Sequence, residues 1–97
     1  MLDLQDKTAL VTGGGSGIGR SIAQHLAMEG CHLVLTGLGI DSLNETKTIC
    51  ERHGVKAYAT ETPLDDYNAI DRLYDYVVEN DLHIDLFVLN AGISQRE

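Results

Sequence analysis

The feature that most limits the fold is a change of hydrophobic period across a cluster of glycines. In "ALVTGGGSGIGRS", Ala9 to Ser21, a short apolar run meets a glycine-rich loop, and beyond it the apolar positions fall at Ile18, Ile22 and Leu26. Thr8 to Thr12 has the length of a buried strand, whereas a four-residue step puts side chains on one face only in a helix. Gly30 ends that helix, and "HLVLT", His32 to Thr36, is a second apolar run of strand length.

The alternation then repeats. Ser42 with Glu45 three residues later has the spacing of a capping box, followed by a stripe of Leu43, Thr46 and Ile49 that stops at Gly54. Val55 to Ala59 is a third strand candidate. Pro63 punctuates a loop in which Asp65 or Asp66 can cap a helix carrying Ile70, Leu73, Tyr74, Val77 and Val78 on one side. Leu86 to Leu89 is wholly apolar, as suits a strand covered on both faces. Strands alternating with helices at short spacing give an α/β protein with a parallel sheet, because every parallel return needs a crossover helix. The expected architecture is the N-terminal half of a three-layer, Rossmann-type doubly wound sheet, with about four strands and three helices. A small barrel fragment also fits the alternation but gives no reason for the glycines.

A strand-to-helix turn offers unpaired backbone N–H groups at the positive end of a helix dipole, where a pyrophosphate is stabilised without charged side chains. Gly13 permits the tight turn, Gly17 lets a ligand approach the main chain, and Gly19 lets the helix pack close to the strand. Such a site reconciles an anionic ligand with a chain of formal net charge −8. That charge argues against a nucleic-acid or anionic-membrane surface, since no basic cluster exists to neutralise phosphates. The opening "MLDLQDK" lacks a signal-peptide core and no run approaches ~18 apolar residues, so the cytoplasm is the expected compartment. Cys31 and Cys50 show no ligand spacing and read as buried structural thiols.

Thr12-Gly13-x-x-x-Gly17-x-Gly19 at the first strand-to-helix junction, with Asn90-Ala91-Gly92 after the fourth strand, resembles the short-chain dehydrogenase/reductase family over essentially all 97 residues. The resemblance implies an NAD(P)-dependent oxidoreductase acting on an alcohol or ketone. It implies that Gly13, Ser16, Gly17, Ile18 and Gly19 line the pyrophosphate and that Thr12 ties two loops together. Gly37 and Leu38 are implied to meet the adenosine ribose, Leu64 to flank the adenine, and Asn90, Ala91 and Gly92 to run along the adenosine side. "TGLGIDSL" with "HGVKAY" is similar to the hydroxybutyrate dehydrogenase branch. At full length the resemblance implies a homo-oligomer.

Departures from the family pattern bear on chemistry. Pro63-Leu64 stands where many members have Asp-Leu, and Leu89 where many have a first Asn. The family's Tyr-x-x-x-Lys is absent: the fourth residue after Tyr58, Tyr67, Tyr74 and Tyr76 is Thr62, Asp71, Val78 and Asn80. A tyrosine near pKa ~10 needs a neighbouring cation to move protons at neutral pH, so no catalytic residue is expected within the chain. Residues 1–97 are thus expected to be an incomplete dinucleotide-binding domain, inactive alone. NAD is expected over NADP because Ser16 and Leu38 stand where a phosphate-binding cation is needed. The acidic residue that favours NAD at the end of the second strand is missing too, since Gly37 stands there, and Asp41 reads as a helix-start residue.

Two rival functions share these residues. Gly14 to Ser21 also spells G-x-x-x-x-G-R-S, near a triphosphate P-loop, but Arg20 is no equivalent of the P-loop lysine and reads as a solvated helix residue. A non-catalytic dinucleotide-binding or interaction module is the other. His25, His32, His53 and His83 lack metal-ligand spacing, Asp65, Asp66, Asp71 and Asp75 read as caps and a solvated face, and Tyr58, Tyr74 and Tyr76 as packing residues.

Overall fold

A computed structural model describes residues 3–62 and 67–90. In chain order it has β1 (Thr8–Thr12), α1 (Gly17–Met28), β2 (His32–Gly37), α2 (Ile40–Glu51), β3 (Ala57–Glu61), α3 (Tyr67–Glu79) and β4 (Leu86–Val88). All pairings are parallel and the sheet order is β3-β2-β1-β4, the order of one half of a doubly wound sheet. Among the described residues no helix is long and apolar enough to cross a membrane.

Alternation along the strands sends Ala9, Val11, Leu33, Leu35 and Ala57 to one face, where they form a continuous core with Ala23 and Ala27 of α1 and Leu43 and Cys50 of α2. Leu33, Leu35 and Leu43 are fully buried, each stabilising the fold by roughly 1.5–3 kcal/mol. Leu10 and Phe87, paired in register between β1 and β4, face the other side and line a groove with Leu73, Tyr74 and Val77 of α3. There Leu10 is buried while Phe87 is 67% exposed, so β4 is not covered on both faces.

Several local expectations shift. The sheet-facing stripe of α1 is Gly19, Ala23 and Ala27, one residue on from Ile18, Ile22 and Leu26, and Ile18 is 69% exposed. The step of four is kept, but α1 lies so close to the sheet that only small residues fit between them. The second helix begins at Ile40 with Gly39 as its N-cap, so Ser42 and Glu45 lie inside α2 and form no capping box. Asp41 does sit in the first turn, where a carboxylate favours the helix dipole. Its inner stripe is Leu43, Thr46 and Cys50. β3 runs two residues later than expected because Ala57, not Val55, pairs with Leu33. Asp85 fixes the start of β4: its Oδ2 accepts the Thr8 amide at 2.9 Å and its own amide donates to the Thr8 carbonyl at 2.8 Å. Tyr74 is 69% exposed and lines the α3 groove without entering the core. Cys31 and Cys50 are free and buried.

Candidate cofactor site at the carboxyl end of the sheet

The ends of β1, β2 and β4 converge on one short loop. Gly13 leaves β1 with φ +65°, a conformation that favours glycine, and its carbonyl accepts the Ser16 amide at 3.2 Å and the Ser16 hydroxyl at 3.0 Å. The Gly14 amide donates to the Thr36 carbonyl at 3.1 Å, holding the loop against β2. From the other side the Thr12 hydroxyl donates toward the carbonyls of Asn90, at 3.2 Å, and Val88, at 3.4 Å. Thr12 therefore joins the end of β1 to the end of β4. The Asn90 side-chain amide lies 3.5 Å from the Gly13 carbonyl.

A Cβ on Gly19 would overlap the Gly13 carbonyl, and one on Gly13 would stand 2.9 Å from Asn90 Nδ2. Gly19 is demanded by the close approach of α1 to the end of β1, and Gly13 by the close approach of Asn90 and by its own positive φ. Gly17 differs: a Cβ there would meet nothing within 4 Å. The fold does not require glycine at the first residue of α1, and the space beside it is open.

The first-turn amides of Gly17, Ile18 and Gly19 have no acceptor within the helix. Ser16 is the N-cap residue, but its hydroxyl turns back to Gly13 and makes no cap bond. The loop thus presents donors to an anion in a chain whose nearest cation is committed elsewhere. Arg20 reaches across to α2, donating from Nε to Thr46 Oγ1 at 2.9 Å and from one terminal nitrogen to the Ser42 carbonyl at 3.1 Å, while pairing with Glu45 at 2.9 Å. It is a tie between helices rather than a solvated residue, and the P-loop comparison loses its one basic group. Ser42, Glu45 and Thr46 lie within one turn of each other, a spacing that matches the fork of a guanidinium but signals nothing unless α1 and α2 are known to be neighbours.

The other candidates divide. Gly37 ends β2 beside the loop, where a Cβ would be 3.2 Å from Gly13 Cα, and Leu38 is 73% exposed just beyond it. Leu64, Ala91 and Gly92 lie outside the described residues, as do Pro63, Asp65 and Asp66. The titrations that depart from ordinary values sit elsewhere. Burial, with Asp85 nearby, raises the Cys31 thiol; burial, with Glu51 nearby, pushes the Cys50 thiol up to about 11. Burial, with Tyr58 nearby, also raises the Tyr76 phenol, the reverse of what proton transfer near neutral pH needs. His25 donates from Nδ1 to the Ser21 carbonyl at 2.8 Å, and His32 Nδ1 accepts the Lys56 amide at 3.0 Å. Among the described residues no group of His, Cys, Asp and Glu could hold a metal ion.

A parallel sheet ordered β3-β2-β1-β4, with this glycine loop at the β1–α1 turn, defines a Rossmann-type α/β protein. More narrowly, the chain belongs to the short-chain dehydrogenase family, whose sequence profile matches residues 7–97. It is 37% identical over 94 residues to a fatty acyl-CoA reductase of Acinetobacter baylyi, covering 97% of this chain and 32% of that protein. NAD+-bound xylitol dehydrogenase superposes with a TM-score of 0.88 at 29% identity, over 95% of this chain and 35% of that one. L-sorbose reductase of Gluconobacter frateurii, complexed with NADPH and L-sorbose, gives a TM-score of 0.87 at 31% identity over 99% of this chain and 38% of that one. The chain thus spans about a third of the length of these relatives. None of the three is a hydroxybutyrate dehydrogenase, and their named substrates range from a fatty acyl-CoA to xylitol and L-sorbose.

Proposed function

We propose that these residues form the cofactor-binding N-terminal part of an NAD(P)-dependent short-chain oxidoreductase acting on an alcohol or ketone. The observation that carries the reading is Gly17, a glycine with open space beside it at the start of a helix whose first-turn amides are uncapped. Those amides, from Gly17, Ile18 and Gly19, are suited to the pyrophosphate, and no basic side chain is needed. Gly37 and Leu38 would meet the adenosine ribose, Leu64 the adenine, and Asn90, Ala91 and Gly92 the adenosine side. The nicotinamide, when bound, supplies the hydride chemistry.

What the chain's own residues do is bind and orient. Thr12 holds the β1 and β4 ends at one height, and Asn90 packs under the loop. No Tyr-x-x-x-Lys pair stands in the 97 residues, so proton transfer to a substrate oxygen requires groups from outside this segment. The range of substrates among the relatives is consistent with that division: this segment serves the cofactor, and substrate choice lies with other residues.

Calorimetric titration of the native full-length protein with NAD+ and with NADP+ tests the reading. One saturable dinucleotide site per chain is expected, with NAD+ the tighter ligand. Absence of binding by either dinucleotide contradicts it.

A further inference from the structure

The end of β2 carries no carboxylate, yet the structure brings one there from the neighbouring strand. β3 ends on Glu61, in register with Gly37. The Thr62 amide donates to the Gly37 carbonyl at 2.9 Å, locking the two strand ends together. Glu61 Oε2 accepts the amide of Gly39, the N-cap of α2, at 2.7 Å. Gly37 in turn lies against Gly13. A continuous surface therefore runs from the glycine loop through Gly37 and Gly39 to an exposed carboxylate.

Resting on the dinucleotide reading above, we propose that Glu61 is the residue that selects NAD over NADP, by accepting a hydroxyl of the adenosine ribose and repelling a 2′-phosphate. A carboxylate at the end of the second strand commonly accepts the ribose 2′-hydroxyl in this fold. Here Gly37 and Leu38 occupy that position, and the group arrives from β3. One carboxylate oxygen anchors the Gly39 amide; the other, Oε1, has no partner among the described residues and stays available as an acceptor. The surroundings keep the spot negative. Arg72 of α3 shares a groove with Glu61, but Asp75 and Glu79 line the same groove. Arg20 is held by Glu45. An added phosphate would meet one fixed carboxylate, in a groove where Asp75 and Glu79 outnumber Arg72.

Glu61→Gln separates selection from anchoring. Its side-chain carbonyl still accepts the Gly39 amide, while the other oxygen becomes an NH2 that donates to a phosphate. The native full-length protein and Glu61→Gln are titrated by calorimetry with NAD+, NADP+, 5′-ADP and 2′,5′-ADP, and melted without ligand. The variant is expected to move the ratio of NADP+ to NAD+ affinity by about tenfold toward NADP+, with the two adenosine fragments following and the melting temperature unchanged. If Glu61→Gln does not fold, Glu61→Asp carries the test, because the charge remains and discrimination against the 2′-phosphate is expected to remain. An unchanged ratio in Glu61→Gln, or discrimination lost in Glu61→Asp, overturns the role of Glu61 while leaving the dinucleotide site standing. A native protein that binds neither dinucleotide overturns the functional reading, and this assignment with it.

Discussion

The two ends of the carboxyl edge of the sheet are built on different principles. At the β1–α1 turn the surface is bare backbone, with Gly17, Ile18 and Gly19 leaving amides open and the Ser16 hydroxyl turned away. At the ends of β2 and β3 it is a side chain, Glu61, bonded to the Gly39 amide. The first arrangement attracts an anion and the second repels one. Together they grade the edge from donor to acceptor, which suits a ligand that is a pyrophosphate at one point and an unphosphorylated ribose at another.

The contrast breaks most completely at Gly19. Gly19→Val drives a side chain into the Gly13 carbonyl, so the loop or α1 must shift; a loss of about 2–3 kcal/mol in denaturant unfolding is expected, with dinucleotide binding lost as well. Stability equal to the parent protein would mean that α1 does not approach β1 as closely as described.

Next in size is an alkaline effect on the frame that carries both ends. Burial raises the Cys50 thiol to about 11 in the fold, from the 9.0 of an unburied thiol. The native state then holds its proton where the unfolded state has released it. This stabilisation is complete below about pH 9 and is lost as pH rises toward 11, about 2–3 kcal/mol in all. Unfolding measured from pH 8 to 11 should show that decline, and Cys50→Ala should flatten it; an unaltered slope in the variant would assign the decline to other groups.

The smallest expected effect sharpens what lies between the two ends. Arg20→Ala removes the tie from α1 to Ser42, Glu45 and Thr46 and should cost about 1 kcal/mol, modest because Glu45 is largely exposed. Dinucleotide affinity should change by less than about threefold. A tenfold loss of affinity with unchanged stability would instead make Arg20 a phosphate ligand.

What could be read from the residues follows from how local each constraint is. The glycine loop is legible because its demands are steric and fall within eight residues, Thr12 to Gly19. The order of elements is legible for the same reason, each period being set within one element. The stripe on α1 was legible in its step but not its phase: bulky Ile18 attracts the eye, yet the close packing selects Gly19, Ala23 and Ala27. The cap of α2 was hidden because Ser42 and Glu45 fit a local rule, while Gly39, at φ +83° and bonded to a residue on another strand, begins the helix. Glu61 was hidden by register. Only the pairing of Leu33 with Ala57 extends β3 far enough to set that carboxylate beside Gly37, and nothing within the strand's own residues encodes its partner.

The account rests on the open space beside Gly17, and one substitution addresses it. Gly17→Val, made in the native full-length protein, is followed by calorimetric titration with NAD+ and by thermal melting. A Cβ there meets nothing within 4 Å beyond its own helix backbone and chain neighbours, so the melting temperature should stay within about 2 °C of the parent while affinity falls by at least about a hundredfold. A folded Gly17→Val protein that binds NAD+ as tightly as the parent would contradict the placement of the pyrophosphate at this loop.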